Sequence, residues 1–456
     1  MMNRTLKNFV TNSVLCTLLA TFAGNVSAQE VEADFLALIG GQLIDGTGSN
    51  AVVDSVVLVS GSRIVAIGTV GELDIPENAT VIDTNGMSVL PGLIDLHMHF
   101  DILGHIDIGV WLPAHKHEMR TRIMPLAAKA KLHAGVTTVR DVGGNPENSL
   151  WLRDMVSSGE IVGPRVVSAG PMLRREANVY GDGSYVDSWG VAGPDEARHA
   201  VRNVDEMGFD LIKAQDPGFS LEEFTAIYSE AHRLGKRIAS HLYDVDDIRR
   251  ALRAGLGKYD TIEHFGVGSA LKYDSDILQM ILDQEVAVVP TIVFFDSSME
   301  MGHNRESTDV AEWRDLPDDL YQEIRSSIRE TDVNAATLLG RETDEMRSGR
   351  YAKLRQAYAA GVIFGVGTDS GTSTNPHHSA IWREMALLQD KVGMSPMEVV
   401  QAATRTNAEI IGWSDQLGTL EVGKLADIIV VNGDPLRDVA ELRTIRHVIK
   451  GGVVVR

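Results

Sequence analysis

The sequence predicts an α/β protein, a (β/α)8 TIM barrel with a small β-sandwich domain formed by both termini. The chain has 456 residues, of which 44% are hydrophobic and 23% charged, and this length suits one large domain plus a smaller one. Its middle alternates short apolar runs with helix-like stretches, which is typical of parallel strands buried on both faces. Both ends instead carry short β-like runs separated by Gly, Asp and Asn, which indicates that they meet in one small β-domain.

Residues 1–28 are predicted to be a secretory signal peptide. Arg4 and Lys7 precede an apolar stretch over residues 9–23, and Val26-Ser27-Ala28 provides small residues for a signal peptidase. An uncleaved anchor is the alternative, but the stretch is interrupted by polar residues and is short for a span of ~20 residues. Cys16 is the one cysteine, so the mature protein should lack disulfides and thiolate ligands. We therefore expect a periplasmic or secreted protein that is not held in a membrane after cleavage.

The predicted β-sandwich has two parts, residues 29–90 and residues 413–456. Short apolar runs mark the first part, such as Phe35–Ile39 and Ser55–Val59, and the run Ala426–Val431 marks the second.

The predicted metal-dependent barrel occupies residues 91–412, because eight strand candidates with helical stretches between them fit this length. The candidates are Leu93–Phe100, Thr137–Val142, Arg165–Ala169, Phe209–Gln215, Arg237–Tyr243, Thr261–Phe265, Val286–Ile292 and Val362–Thr368. A doubly wound open sheet is the competing fold, but the Gly-rich phosphate turn expected after its first strand is missing. The charged insertion 293–360 is either a solvated helical excursion or a lid over the barrel mouth.

The charge balance limits the partners. A formal net charge of −21 argues against nucleic acid and anionic membranes, which are bound by clustered Lys and Arg. A small-molecule substrate remains as the expected partner, and the sequence is compatible with a homo-oligomer.

Side chains that can bind metals end five of the predicted strands. His97 and His99 share one face of the first strand, because residues i and i+2 point the same way. Alone, this pair is as compatible with core histidines as with a metal site. The other strand ends, however, carry Lys213, His241, His264 and Asp369. Because barrel enzymes place their chemistry at the carboxyl ends of the strands, we expect these side chains to form one site.

Lys213 is unusual because it lies within an apolar strand. Burial disfavours the ammonium and lowers its pKa toward that of a neutral amine, which can take up carbon dioxide as a carbamate. A carbamate is an anionic ligand with two oxygens. The alternative is a strand-end lysine whose ammonium reaches water.

Four segments resemble those of a known family. Pro91–His99, Gly135–Asp141, Gly367–Asp369 and Gly418–Asp427 are similar to segments of the amidohydrolase superfamily, in its imidazolonepropionase-like and prolidase-like (Xaa-Pro or Xaa-Arg dipeptidase) branch. The resemblance runs over nearly all of the chain that follows the signal peptide. It implies a metal-binding barrel with a β-sandwich built from both termini.

The resemblance also implies roles for the clustered residues. His97 and His99 would bind the more buried of two divalent metal ions, with zinc as the first choice, and His241 and His264 the more exposed ion. Lys213, N6-carboxylated, would bridge the two ions. Asp369 would bind the buried ion and act as the catalytic acid and base.

The expected reaction is hydrolysis of the C-terminal amide bond of a dipeptide or an N-acyl amino acid by a hydroxide that both ions share. Tyr243 would be a catalytic and substrate-binding residue beside the scissile carbonyl or the substrate carboxylate, or else a rim tyrosine. Arg140, or Arg174 and Arg175 after the third strand, could pair with that carboxylate, or else with local acids such as Asp141 and Glu176. His378 could bind substrate or cap the next helix.

Other readings remain open on the same barrel. A lactonase or organophosphate hydrolase would use the same pair of ions, whereas a deaminase or imidazolone hydrolase would need only one. A barrel that has lost its metals and serves as a binding protein would normally show replaced ligands.

Overall fold

The structure is a computed structural model, which describes residues 35–215, 218–268, 270–303, 313, 316–330 and 343–456. The predicted signal peptide 1–28, with Cys16, lies outside the described residues and stays a prediction. Within the part that is described, no helix is long and apolar enough to cross a membrane.

The elements are numbered along the chain. The strands are β1 Phe35–Leu43, β2 Val52–Ser60, β3 Arg63–Thr69, β4 Thr80–Asp83, β5 Ser88–Pro91, β6 Leu93–Met98, β7 Val136–Asp141, β8 Arg165–Ser168, β9 Met172–Arg174, β10 Val179–Tyr180, β11 Tyr185–Val186, β12 Ser188–Gly190, β13 Leu211–Ala214, β14 Arg237–His241, β15 Thr261–Glu263, β16 Ala287–Val289, β17 Ile363–Phe364, β18 Ile428–Val431, β19 Ile445–Lys450 and β20 Val453–Val454. The α-helices are α1 Ile108–His115, α2 Met124–His133, α3 Pro146–Ser158, α4 Pro194–Glu206, α5 Leu221–Arg233, α6 Val245–Ala254, α7 Ser275–Asp283, α8 Ile292–His303, α9 Asp318–Glu330, α10 Asp344–Ala360, α11 Ala380–Leu387, α12 Pro396–Gln401 and α13 Asn407–Ile411. Single π-helical turns cover Met119–Ile123, Leu388–Val392 and Ala402–Thr406, and a 3₁₀ helix covers Val439–Thr444.

Strands from both ends of the chain share one sheet. Its order is β20-β19-β18-β5-β1-β2-β3, with β4 paired to β1 on the side of this path. β5 joins the two ends, because it pairs in parallel with β1 and antiparallel with β18, where Ile428 lies opposite Pro91. Apolar residues from both ends, including Leu38, Val57 and Val430, pack together in one buried cluster. The meeting of the termini is therefore observed, while a two-layer sandwich and the domain limits at 90 and 412 stay predictions.

Eight parallel strands follow one another in chain order. β6, β7 and β8 pair in one sheet, and β13, β14, β15, β16 and β17 pair in the other. Backbone hydrogen bonds join the two sheets at both seams, from Asp210 N to Ser168 O (2.9 Å) and from Leu96 N to Val366 O (3.0 Å). This arrangement agrees with the predicted barrel. Each of the eight strand candidates overlaps one of these strands. β17 is only two residues long, but the chain after it continues to bond to its neighbours, from Gly365 N to Val288 O (2.9 Å) and from Leu96 N to Val366 O (3.0 Å).

Capping residues fix where the helices around the barrel begin and end. Ser220 and Glu223 form a capping box at the start of α5, so that side chains satisfy backbone N–H groups that the helix leaves open. α10 ends at Gly361, whose φ of +88° is a conformation that favours glycine, and the chain then enters β17.

The insertion between β16 and β17 contains α8, α9 and α10, and α9 packs against the loop that follows β6. Ser327 Oγ accepts a hydrogen bond from Ile106 N (3.2 Å), and Glu323 Oε1 lies 3.0 Å from His115 Nε2. Arg122, in the π-helical turn Met119–Ile123, donates to Asp319 of α9 (2.5 Å). Because Ile106 belongs to the cavity described below, these contacts support the lid interpretation, which stays a prediction.

Candidate active site

The side chains expected to bind metals come together at the carboxyl ends of the barrel strands. His97 Nε2 and His99 Nε2 lie 3.6 and 3.3 Å from Asp369 Oδ1. The His264 ring lies 4.7 Å from the His97 ring and 4.3 Å from the His241 ring, measured between centroids. The cluster therefore draws on β6, β14, β15 and the segment after β17.

Two members of this cluster have unusual backbone conformations. His264 and Asp369 have φ values of +60° and +56°, in the left-handed region that non-glycine residues rarely adopt. Hydrogen bonds hold both residues there, from His264 N to Val289 O (2.8 Å) and from Asp369 N to His97 O (2.6 Å). Strain of this kind is concentrated at functional sites, because the surrounding structure must impose it.

Three of the histidines are oriented through Nδ1. His97 Nδ1 donates to Glu263 Oε2 (2.6 Å), and His99 Nδ1 donates to the carbonyl oxygen of Gly143 (2.7 Å). His264 Nδ1 lies 2.8 Å from Thr291 Oγ1. A partner at Nδ1 fixes the ring and leaves Nε2 as the atom that can bind a metal ion.

Glu263 is the important site residue that the sequence did not reveal. It is fully buried and accepts a hydrogen bond from Thr261 in addition to that from His97. The sequence does contain a signal for Glu263, which is a carboxylate in an apolar strand on the same face as Thr261. The functional role predicted for this strand end, however, belongs to its neighbour His264.

The role predicted for Arg140 is wrong. Its side chain is 2% exposed and does not line the cavity. It donates to Glu263 Oε1 (2.6 Å), Leu96 O (2.6 Å) and Thr261 Oγ1 (3.0 Å). The position of Arg140 near the end of its strand predicts that it lies at the barrel mouth. Its guanidinium instead turns into the barrel, where it neutralises the buried Glu263.

Lys213 has the environment predicted for it. The side chain is 1% exposed, and no hydrogen-bond partner of its Nζ is found among the described residues. Burial lowers the pKa of this amine to about 8, although the carboxylates of Glu263 and Asp369 act in the opposite direction. A neutral amine is therefore accessible close to physiological pH.

The protonation states of three of the four histidines suit metal binding. Burial, followed by nearby positive charge, places the pKa of His97, His241 and His264 well below the ordinary histidine value, so these rings are neutral. Burial acts in the same direction on His99, but the Asp369 carboxylate outweighs it and raises the pKa of His99 to about 9. Burial raises the pKa of Asp369 itself.

These donors fit a divalent cation. His97, His264 and Asp369 each offer a ligand atom within 4.8 Å of the other two, and all three are buried. Among the residues described, Asp369 Oδ1 has no hydrogen-bond partner although two imidazoles face it. Imidazole nitrogen and carboxylate oxygen are ligands that zinc and similar ions prefer.

The cluster lies in a cavity of about 520 Å³ lined by both apolar and polar side chains, which we call its apolar wall and its polar wall. The apolar wall consists of Ile102, Ile106, Ile108, Leu112, Met172 and Phe294. The polar wall consists of Asp101, Arg174, Asn178, Tyr180, Asp187 and Gln215. Mostly preformed cavities of this size, with a few polar groups, are typical of small-molecule sites.

The substrate-binding predictions for Tyr243 and His378 have different outcomes. Tyr243 lines the cavity, with its ring 4.3 Å from the His241 ring, and burial raises its pKa, so the phenol stays protonated. His378 instead borders a small separate cavity with Leu103 and Trp313. The structure does not support a substrate contact for His378, because His378 is not among the residues that line the main cavity.

Arg174 occupies the place that was expected for Arg140. It lines the cavity, and its buried Nε has no hydrogen-bond partner. Within the described ranges, no carboxylate forms an ion pair with it. A guanidinium held in this way can bind an anionic group of a ligand.

Comparison with known proteins agrees with this site. Residues 88–455 match the model of the amidohydrolase family. The chain is 25% identical to the imidazolonepropionase of Geobacillus kaustophilus (strain HTA426) over 427 residues, which cover 88% of this chain and 89% of the relative.

Two solved structures give the same picture. A Xaa-Pro dipeptidase with methionine bound in its active site superimposes with a TM-score of 0.72 at 25% identity, covering 92% of this chain and 100% of its own. A prolidase in complex with N-methylphosphonate-L-proline gives a TM-score of 0.73 at 26% identity, and the match covers 92% of this chain and 99% of the prolidase chain. The family match spans most of the chain and includes all of the candidate metal ligands, so this protein belongs to the amidohydrolase family and is a hydrolase of carbon–nitrogen bonds.

Proposed function

We propose that this protein is an exported metal-dependent amidohydrolase that cleaves the C-terminal amide bond of a dipeptide or an N-acyl amino acid. One observation carries the proposal: the cavity that contains the Asp369 cluster also contains the guanidinium of Arg174, which has no ion-pair partner among the described residues. A substrate with a free carboxylate beside the scissile amide suits both groups. The similar dipeptidase and prolidase structures, whose names specify such substrates, support this choice.

The metal content is part of the proposal. Two divalent ions, zinc in the first instance, would be held by His97, His99 and Asp369 on one side and by His241 and His264 on the other. Lys213, as its N6-carboxylate, would lie between them, and its burial and pKa of about 8 support this modification. When bound, such ions lower the pKa of a water molecule and polarise a carbonyl group.

The chain's own groups then have separate tasks. Asp369, whose pKa burial raises, accepts the proton of the attacking water and passes it to the leaving amine. The protonated phenol of Tyr243 donates a hydrogen bond to the substrate carbonyl or carboxylate. Arg174 orients the carboxylate, and the apolar wall excludes water from the reacting bond.

Metal analysis and a substrate screen test the proposal together. The purified protein is expected to contain close to two metal equivalents and to hydrolyse members of a library of dipeptides and N-acyl amino acids. Lys213→Ala should lose most of this activity and regain part of it with acetate or formate. Lys353→Ala is the matched control: Lys353 is also buried, but its ammonium donates to the Gly268 carbonyl (2.9 Å), so small carboxylates should not rescue it. Full activity of Lys213→Ala would disprove the bridging lysine.

Hydrolysis of a cyclic amide is the second candidate, because the imidazolonepropionase relative covers 88% of this chain. A metal content near one, together with turnover of imidazolone rings but not of dipeptides, would favour it. Lactones and phosphotriesters complete the screen.

Export is proposed from the N-terminal sequence alone. Expression of the full chain in a bacterial host should yield a product outside the cytoplasm that begins near Gln29, as read by mass spectrometry. A cytoplasmic product that retains residues 1–28 would contradict it.

A further inference from the structure

The residues that line the cavity carry an excess of negative charge. Among the described residues that line the cavity, Arg174 is the one Lys or Arg side chain, whereas Asp101, Asp107, Asp187 and Asp369 are all acidic. Asp369 faces the histidine cluster. Asp101 and Asp187 are only 5% and 6% exposed, and buried charges are costly unless they are paired.

A tyrosine hairpin positions these two carboxylates. β10 and β11 pair Tyr180 with Tyr185. Tyr180 donates to Asp187 Oδ2 (3.0 Å), and Tyr185 donates to Asp101 Oδ2 (2.7 Å). Each phenol therefore satisfies one oxygen of one carboxylate and leaves its negative charge in place.

One carboxylate oxygen is left open. Asp187 Oδ1 is buried and has no hydrogen-bond partner among the described residues. An unsatisfied anionic oxygen in a cavity wall, with a second carboxylate nearby, provides what a cation would recognise: charge, acceptors and a desolvated setting.

We propose that Asp101 and Asp187 form a subsite for a cationic group of the substrate, most simply the free α-ammonium group of a dipeptide. The proposal rests on the amide hydrolysis proposed above and narrows it, since an N-acyl amino acid lacks this group.

The spacing between this subsite and Arg174 suits a small zwitterion. β9 and β12 pair with Ser188 opposite Met172 and Gly190 opposite Arg174, so Asp187 and Arg174 are offset by three residues along neighbouring strands. Three residues correspond to roughly 10 Å at about 3.3 Å per residue. An extended dipeptide spans roughly 7 Å, and the two side chains can cover the remainder.

The test compares substrates that differ only in charge. Glycyl-L-leucine has a free ammonium, N-acetylglycyl-L-leucine has none, and Nα-acetyl-L-lysyl-L-leucine has one on its side chain. We expect wild-type kcat/KM to be at least about tenfold higher for a cationic substrate than for N-acetylglycyl-L-leucine. Whichever cationic substrate is preferred identifies the ammonium that binds.

Asp187→Asn removes the charge and keeps an oxygen that can accept the Tyr180 hydrogen bond. We expect it to lower kcat/KM of the preferred cationic substrate about 10- to 100-fold and to change that of N-acetylglycyl-L-leucine less than threefold. Asp182→Asn is the matched control, because Asp182 lies in the same hairpin but is exposed and pairs with Lys116. A preference for cations that is absent, or that survives in both Asp187→Asn and Asp101→Asn, overturns the subsite.

Failure of the proposed function can be distinguished from failure of the subsite. If metal-loaded wild-type protein hydrolyses no amide, binding of 2-phenylethylammonium measured by calorimetry still tests the subsite, with its phenyl ring against the apolar wall. Binding at least about tenfold weaker in Asp187→Asn than in wild type supports the subsite, and equal binding overturns it.

Discussion

Substitution of Glu263 by Gln should weaken metal binding, and it also removes the counter-charge of the buried Arg140 guanidinium. The Glu263 carboxylate accepts a hydrogen bond of 2.6 Å from His97 Nδ1 in a fully buried position. A carboxylate at this position makes the imidazole a stronger ligand and fixes the tautomer that presents Nε2. The amide of Gln has the same shape but no charge, so it can keep the geometry while losing that electrostatic support.

The size of the effect follows from the contact. A hydrogen bond to a charged group contributes about 1.5–3 kcal/mol, which corresponds to a factor of roughly 10 to 150 in a binding constant. Measured losses from partners of metal-bound histidines fall in the same range, about 10- to 100-fold. We therefore expect the tighter zinc site to weaken by at least about tenfold.

The assay is a zinc titration of metal-free protein in the presence of a competing chelator. Glu223→Gln is the matched control, because Glu223 is also buried (4% exposed) and is also paired with an arginine, Arg175, but at the start of α5 and away from the histidines. Zinc affinity of Glu263→Gln within threefold of wild type would refute the reasoning. So would an equal loss in Glu223→Gln, because the cause would then be general destabilisation.

Three further predictions concern the buried groups around the site. Burial lowers the pKa of Lys213 to about 8, so its neutral amine predominates only above that pH. At fixed dissolved carbon dioxide, the initial rate at which zinc reactivates the metal-free protein should therefore fall about tenfold per pH unit from 8 to 6 and level off above 8. A reactivation rate that does not depend on pH would contradict a carbamate. Lys131→Met should destabilise the fold by about 3–5 kcal/mol, since it leaves Asp95 buried without a counter-charge. Denaturant unfolding of the double variant Lys131→Met/Asp95→Asn should show most of this stability restored. If stability is not restored, the ion pair is not the cause of the loss. Thr291→Val should weaken one zinc site about tenfold, because it removes the Nδ1 partner of His264 while keeping the shape of the side chain; unchanged affinity in the same titration would show that Thr291 does not orient this ring.

Much of the fold could be read from residue patterns. Nearly continuous apolar runs between helical stretches located all eight parallel strands, and the β-like runs at the two ends did pair in one sheet. Strand ends were less certain. The predicted strand Val362–Thr368 is regular only over Ile363–Phe364, and the chain then adopts a left-handed conformation at Asp369, beside the histidines.

The sequence also located the candidate metal ligands, because their types and their positions at strand ends are local properties. His97 and His99 need only the two-residue period of a strand to share a face, and Lys213 needs only an apolar run to be buried. A position in a strand does not, however, tell which way a long side chain turns. The Arg140 side chain turns inward to Glu263, whereas Arg174 lines the cavity and has no ion-pair partner among the described residues.

The sequence by itself determined the barrel order and the residue types at the strand ends, since both are local properties of the chain, and the class of chemistry followed from these together with the resemblance to the amidohydrolase superfamily. Only the tertiary structure decided which groups touch. Glu263 supports His97, Thr291 meets His264, and the tyrosine hairpin positions Asp101 and Asp187, through contacts between residues far apart in the chain. Such contacts depend on how loops fold over the strand ends, and that packing leaves no period in the sequence from which it could be read.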